Sequence, residues 1–142
     1  MRALGLDLGS KRIGVAVSDR SGTVATPLVV IERSGSRRTD HERIAALVAD
    51  EEAELLVIGL PRSMSGAEGP AARGARDEAE ALASVVGVPV DTWDERLTTV
   101  TAERALRAGG VRGRARRQVV DKVAAAIILQ SWLDARSTQV QS

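Results

Sequence analysis

The stretch Leu4–Asp19, LGLDLGSKRIGVAVSD, decides the fold. Ala3 to Leu8 is apolar at nearly every position, the mark of a strand buried on both faces. Gly9-Ser10-Lys11-Arg12 reads as a hairpin turn, and Ile13 to Val17 as a second strand closed by Ser18-Asp19. One carboxylate, Asp7, interrupts the first strand. An unpaired buried charge is expensive. Asp7 therefore needs a metal ion, a basic side chain or backbone N–H groups, and Lys11 or Arg12 could supply a purely structural pair.

Outward from this hairpin, Arg20-Ser21-Gly22 turns the chain again and Thr23 to Ile31 makes a third strand. Pro27 inside it calls for an edge or a bulge. After a polar loop, Asp40 is the expected N-cap of a helix reaching about Asp50, with Ile44, Leu47 and Val48 as its apolar stripe. Leu55 to Leu60 (LLVIGL) is a buried strand. Pro61 to Pro70 is a long Gly/Pro/Ser loop; Ser63, Met64 and Ser65 either contact substrate there or belong to a plain connector. A helix over Ala71–Val86, stopped by Gly87, leads to a strand over Val88–Trp93. Thr98 or Thr99 caps a helix lasting to about Ala108, and Gly109-Gly110 end it. Val111–Arg117 (VRGRARR) reads as a basic loop and Val119 to about Ala135 as the last helix. The order β-β-β-α-β-α-β-α-α predicts an α/β protein, a mixed sheet with helices on its faces. Residues 1–136 make one domain and 137–142 a polar tail.

Composition narrows the chemistry. The chain of 142 residues has no Cys and one His, which removes disulfides, thiol nucleophiles and multi-His or thiolate zinc sites. Phe and Tyr are absent and there are two Trp, so aromatic platforms for single-stranded bases are scarce and Trp93 and Trp132 read as core. No apolar run approaches the ~20 residues of a membrane span, and Arg2 and Asp7 break up any signal peptide. The expectation is a cytoplasmic domain without membrane contact. No P-loop or Rossmann fingerprint is present.

Most carboxylates, Glu78 among them, lie among Ala and Arg on helices and read as solvated; so does His41, near a helix start. Three positions differ: Asp7 in a buried strand, Asp94-Glu95 just past one, and Asp121 opening the apolar run VVDKVAAAIIL. Oxygen-only carboxylate clusters suit Mg²⁺ or Mn²⁺. Two such ions about 3.5–4 Å apart clamp the attacking and leaving oxygens of a phosphodiester. The alternatives stay open: Asp94 and Glu95 could cap the next helix, and Asp121 could be an early-turn acid of its own. Between Arg104 and Lys122 seven basic side chains face the single charge of Asp121, +6 against +1 for the whole chain. Arg112, Arg114, Arg116 and Arg117 lead straight to Asp121, which fits phosphate-backbone contact, with Lys11 and Arg12 on the same surface.

GLDLGSKRIGVAVSD (Gly5–Asp19), VIGLPRSMSG (Val57–Gly66), DERLTT (Asp94–Thr99) and DKVAAAIILQSWLD (Asp121–Asp134) together resemble the YqgF/RuvX family. Its members are described as pre-16S rRNA nucleases and formerly as Holliday junction resolvases. The resemblance implies an RNase H-like fold, a five-stranded mixed sheet in the order 3-2-1-4-5 with helices on both faces. It implies that Asp7, Glu95 and Asp121 are catalytic and hold Mg²⁺ or Mn²⁺. It also implies that Lys11, Arg12 and Arg96 meet nucleic acid. The implied substrate is structured RNA, in particular pre-16S rRNA, with branched DNA as the second candidate and a monomer or homodimer as the working unit. One departure from junction resolvases matters. They carry an acid at the end of the fourth strand, where this chain reads Gly59-Leu60-Pro61. A carboxylate moved to the fifth strand sits roughly 10 Å from the first, two strand spacings away. Glu95 must lean inward to reach Asp7, or Asp94 serves instead. Two readings from other classes stay open: a non-catalytic RNA-binding ribosome-assembly factor, and an actin-like nucleotide-binding module suggested by Asp-Leu-Gly-Ser after the first strand.

Overall fold

The structure, a computed structural model, describes residues 1–61, 67–97 and 113–141. Five strands form one sheet: β1 (Ala3–Leu8), β2 (Arg12–Ser18), β3 (Ala25–Glu32), β4 (Leu55–Leu60) and β5 (Val90–Asp94). Their order is β3-β2-β1-β4-β5. β1 pairs antiparallel with β2 and parallel with β4, so it is the central strand, as its apolar run requires. β3 is an edge, and the register shifts between Val15 and Ala16 where Pro27 stands opposite. Both devices accommodate a residue with no N–H to give.

The two-residue period of the strands sorts side chains between two cores. Leu4, Leu6, Val15, Leu56 and Ile58 pack with Ile44 and Val48 of α1 (Arg37–Asp50) and Ala79 and Leu82 of α2 (Pro70–Ala83). On the other face Ala3, Ala16 and Val57 pack with Ala125, Ile128, Leu129 and Leu133 of α3 (Gly113–Gln141). α3 approaches β1 closely because Gly5 has no side chain. A Cβ there would stand 2.7 Å from Leu129 Cβ and 3.0 Å from the Ala125 carbonyl oxygen. The contact sets the height of α3 above the sheet.

α2 ends at Ala83, short of the expected Val86, and β5 runs Val90–Asp94 instead of Val88–Trp93; α1 and α3 differ more. Ser36 caps α1, its hydroxyl accepting from the Thr39 N–H at 3.3 Å. Asp40 lies buried in the first turn instead, accepting from the N–H and hydroxyl of Ser34 at 3.0 and 2.8 Å. α3 begins at Gly113, inside the expected basic loop, and runs through the expected polar tail to Gln141. No Gly or Pro follows Gly113, and Arg, Ala and Gln are good helix formers. The expected helix over 98–108 and residues 62–66 of the long loop lie outside the described residues.

Candidate active site

Strand alternation puts Asp7 on the α3 face, in step with Ala3 and Gly5. Its partner on β2 is Gly14. On β4, Ile58 pairs with Leu6, so the next step brings Gly59 level with Asp7. Glycines on both neighbouring strands leave the Asp7 carboxylate open ground on that face.

Glu95 uses the ground at Gly59. It opens the short 3₁₀ turn Glu95–Leu97 directly after β5. A Cβ on Gly59 would stand 2.9 Å from Glu95 Cγ, 3.0 Å from its Cδ and 2.6 Å from Ile128 Cδ1. The Glu95 side chain therefore lies inward across β4, in the space that a fourth-strand side chain would fill. Burial, the Asp7 charge and the Asp94 charge together push the Glu95 carboxyl up to about 7. Asp94 is engaged otherwise. It accepts from the Arg96 N–H at 3.0 Å, from Arg96 Nε at 2.8 Å and from Nη2 at 2.5 Å. Of the two acids, Glu95 is the one set over Gly59, while Asp94 holds Arg96, expected at nucleic acid, against the turn.

Asp121 stands on α3, and its side chain lies outside the described residues. The backbone register is nevertheless informative. α3 runs against β1: Arg136 Nη1 donates to Met1 Sδ at 3.0 Å, while Ala125 and Leu129 sit over Gly5. Four residues of helix advance about 6 Å, close to the rise of two strand residues. One more turn of helix thus carries the backbone of residue 121 toward the level of Asp7. Among the basic candidates Lys11 is exposed and Arg12 half-buried, on a turn closed by the Gly9 N–H to the Arg12 carbonyl at 2.9 Å. Arg112, and the side chains of Arg114, Arg116 and Arg117, lie outside the described residues. Among the described residues no three His, Cys, Asp or Glu are gathered as a metal group.

The raised Glu95 carboxyl makes a stability prediction. A group whose folded pKa lies above the usual 4.5 binds more protons folded than unfolded, so the metal-free protein loses stability as pH rises from about 4.5 to about 7. Glu95→Gln removes this loss. It is expected to stabilise the metal-free chain at pH 8 by about 2–3 kcal/mol and to leave it little changed near pH 4.5. Urea denaturation in EDTA at both pH values measures it; equal effects at the two would overturn it.

A buried polar cluster was missed by the sequence reading. Glu78 and His41, read as solvated, are 6% and 4% exposed. Arg33 forks onto Glu78 through Nη1 and Nη2 at 3.0 and 2.9 Å, and His41 Nε2–H donates to Glu78 Oε2 at 2.8 Å. Arg33 Nε also donates to the Gly9 carbonyl at 2.8 Å, and its backbone N–H to the Lys11 carbonyl at 2.9 Å. The cluster thus grips the turn that follows Asp7. Helical phase carries the signal: Glu78 falls in line with Ala75 and Leu82, and His41 with Ile44 and Val48.

The RuvX family model, described as a Holliday junction resolvase, matches residues 1–135. The chain belongs to the RuvX family. Relatives in that family include a "Putative pre-16S rRNA nuclease" of Mycobacterium sp. (strain KMS), 51% identical over 95% of this chain and 80% of that protein. Another of the same name, from Myxococcus xanthus (strain DK1622), is 47% identical over 95% of this chain and 89% of that protein. Among solved structures, T. thermophilus RuvC in complex with a Holliday junction substrate superposes with a TM-score of 0.63 at 20% identity, covering 97% of this chain and 96% of that one. The RuvX chain therefore has the RNase H-like fold. No described helix is long and apolar enough to cross a membrane.

Proposed function

We propose that the chain is a cytoplasmic, metal-dependent endonuclease that hydrolyses structured RNA in the 5′-end maturation of pre-16S rRNA. The nuclease class follows from the family; the RNA substrate rests on what the relatives' names say of them. The observation that carries the site is Glu95 lying across Gly59 toward Asp7. Two carboxylates brought together against burial and mutual repulsion form an oxygen donor set that suits a hard divalent cation such as Mg²⁺ or Mn²⁺. Asp7 and Glu95 would hold it, with Asp121 from α3 as the third ligand. When bound, the ion would activate water and neutralise charge developing on the phosphoryl oxygens.

The remaining work falls to the chain itself. Lys11 and Arg12, on a turn locked from both sides, meet backbone phosphates next to Asp7. Arg112, Arg114, Arg116 and Arg117, which lead to Asp121 in the sequence, would add further phosphate contacts. Such contacts read backbone and shape rather than bases. The family's description makes a four-way DNA junction the comparison substrate. Cutting it symmetrically needs two sites in a two-fold dimer.

The test sets a pre-16S rRNA 5′ fragment beside a four-way DNA junction, each with Mg²⁺, Mn²⁺ or EDTA. Metal-dependent cuts in the RNA with the junction intact are the expected result. Paired cuts in the junction by a dimer, with the RNA intact, would replace this reading by a resolvase. RNA binding without any cleavage would leave an assembly factor.

A further inference from the structure

A cavity of about 600 Å³ opens beside the Gly9 turn, at the sheet end that carries Asp7 but on the α1 and α2 side. That size lies within the range of about 300–1,000 Å³ typical of small-ligand sites. Leu8 and Gly9, which follow Asp7, and Pro61, the residue after β4, are among its lining. One wall is the small-residue face of α2, made by Ala71, Gly74 and Ala75. A Cβ placed on Gly74 would meet nothing within 4 Å.

The lining also includes Arg33, Glu78 and Asp40. The Arg33 guanidinium is held at three nitrogens, by the Gly9 carbonyl and by both oxygens of Glu78, and its side chain is 18% exposed. The Glu78 fork balances its charge and fixes its plane. It offers the cavity a flat surface more than a free cation. Arg37 differs: about half exposed at 52%, it reaches only to 4.0 Å from Glu78. Lys11 is exposed on the adjoining turn. The charges that line the cavity are thus largely engaged within the chain, Arg33 with Glu78 and the buried Asp40 carboxylate with the N–H and hydroxyl of Ser34, while Arg37 is half exposed. That distribution suits a ring inside and a phosphate outside. Unpaired bases stack on arginine planes as well as on aromatic rings. The two Trp of this chain pack at the α3 face instead.

Resting on the nucleic-acid reading above, we propose that this cavity is a nucleobase subsite. It takes one unpaired base of the substrate strand, stacked on Arg33, with the adjoining phosphate on Arg37 and Lys11. The subsite selects substrates with an unstacked nucleotide next to the cleaved bond.

The test uses the full chain carrying Asp7→Asn, in EDTA, with pre-16S rRNA 5′ fragments that hold a single 2-aminopurine at each unpaired position in turn. One position is expected to change fluorescence on binding. Adding Gly74→Leu starts a larger side chain on the cavity wall, where a Cβ meets nothing within 4 Å, and favours the helix. It should abolish that change and weaken binding about tenfold, the scale of one lost base stack, with the melting temperature kept. Ala71→Met, filling from the same wall, should do the same if Gly74→Leu folds poorly. An undiminished signal and affinity in a folded cavity-filled variant would overturn the subsite, as would the absence of any responsive position. Cleavage by the wild type is scored separately. A cavity-dependent signal without cleavage keeps the subsite and removes the nuclease; cleavage unaffected by Gly74→Leu does the reverse.

Discussion

Asp7→Asn is expected to abolish metal-dependent cleavage while the protein stays folded and still binds RNA. The substitution keeps the volume of the side chain and removes one unit of charge from the centre of the sheet. Loss of a preorganised group that serves developing charge costs about 10²–10³-fold in rate or more. RNA affinity should hold or improve slightly, because a negative charge has left a surface that meets phosphates. Single-turnover cleavage and filter binding, side by side, separate the two effects. An Asp7→Asn protein that cuts as fast as wild type would remove Asp7 from the mechanism.

The same variant carries a second signature that a merely structural Asp7 would not give. Burial is the largest reason that the Glu95 carboxyl titrates near 7, and the Asp7 charge is the next. Removing Asp7 should lower the Glu95 titration, yet leave it above 4.5, since burial remains. The metal-free variant should also be more stable than wild type at pH 8, where two like charges no longer face each other. Carboxyl NMR titration and a melt in EDTA read these directly. A fall in stability at pH 8 would mean that Asp7 is held chiefly by a cation of the chain.

The antiparallel opening and the mixed sheet were legible because β1 and β4 are apolar on both faces and the first turns are short; the strand order β3-β2-β1-β4-β5 was implied by the family resemblance and not by the residues alone. The inward reach of Glu95 was posed as a requirement and not derivable: it depends on Gly59 being bare, which only the register of β4 against β5 reveals. The α3 boundaries went wrong because Arg-rich sequence was read as loop, although Arg is a good helix former. The Arg33–Glu78–His41 cluster was missed for a different reason. Charged residue types were weighed above helical phase, and phase alone put Glu78 and His41 inward. Burial of a charge is decided by the partners it meets, and Arg33 comes from a loop far away in sequence.

Glu78→Gln is expected to be strongly destabilising although it keeps the shape of the side chain. Replacing one partner of a buried ion pair leaves the others uncompensated, at about 3–5 kcal/mol. Arg33 keeps its Gly9 contact but faces a neutral amide, and His41 loses its carboxylate. Roughly 10 °C or more of melting temperature should go with them. The pH dependence gives the sign. Burial acts to raise the Glu78 carboxyl, but the hydrogen bonds from Arg33 and His41 prevail and hold it below 4.5. Its stabilisation is therefore complete above about 4.5 and is lost as pH falls through the folded value. Glu78→Gln should lie well below wild type at pH 7 and converge on it in acid. A gap that stays constant from pH 7 to pH 3 would show that shape rather than charge is what the pocket needs. Because Arg33 also grips the Gly9 turn, the variant should cleave more slowly well below its melting temperature. Unchanged cleavage there would separate the buried pair from the placement of Lys11 and Arg12.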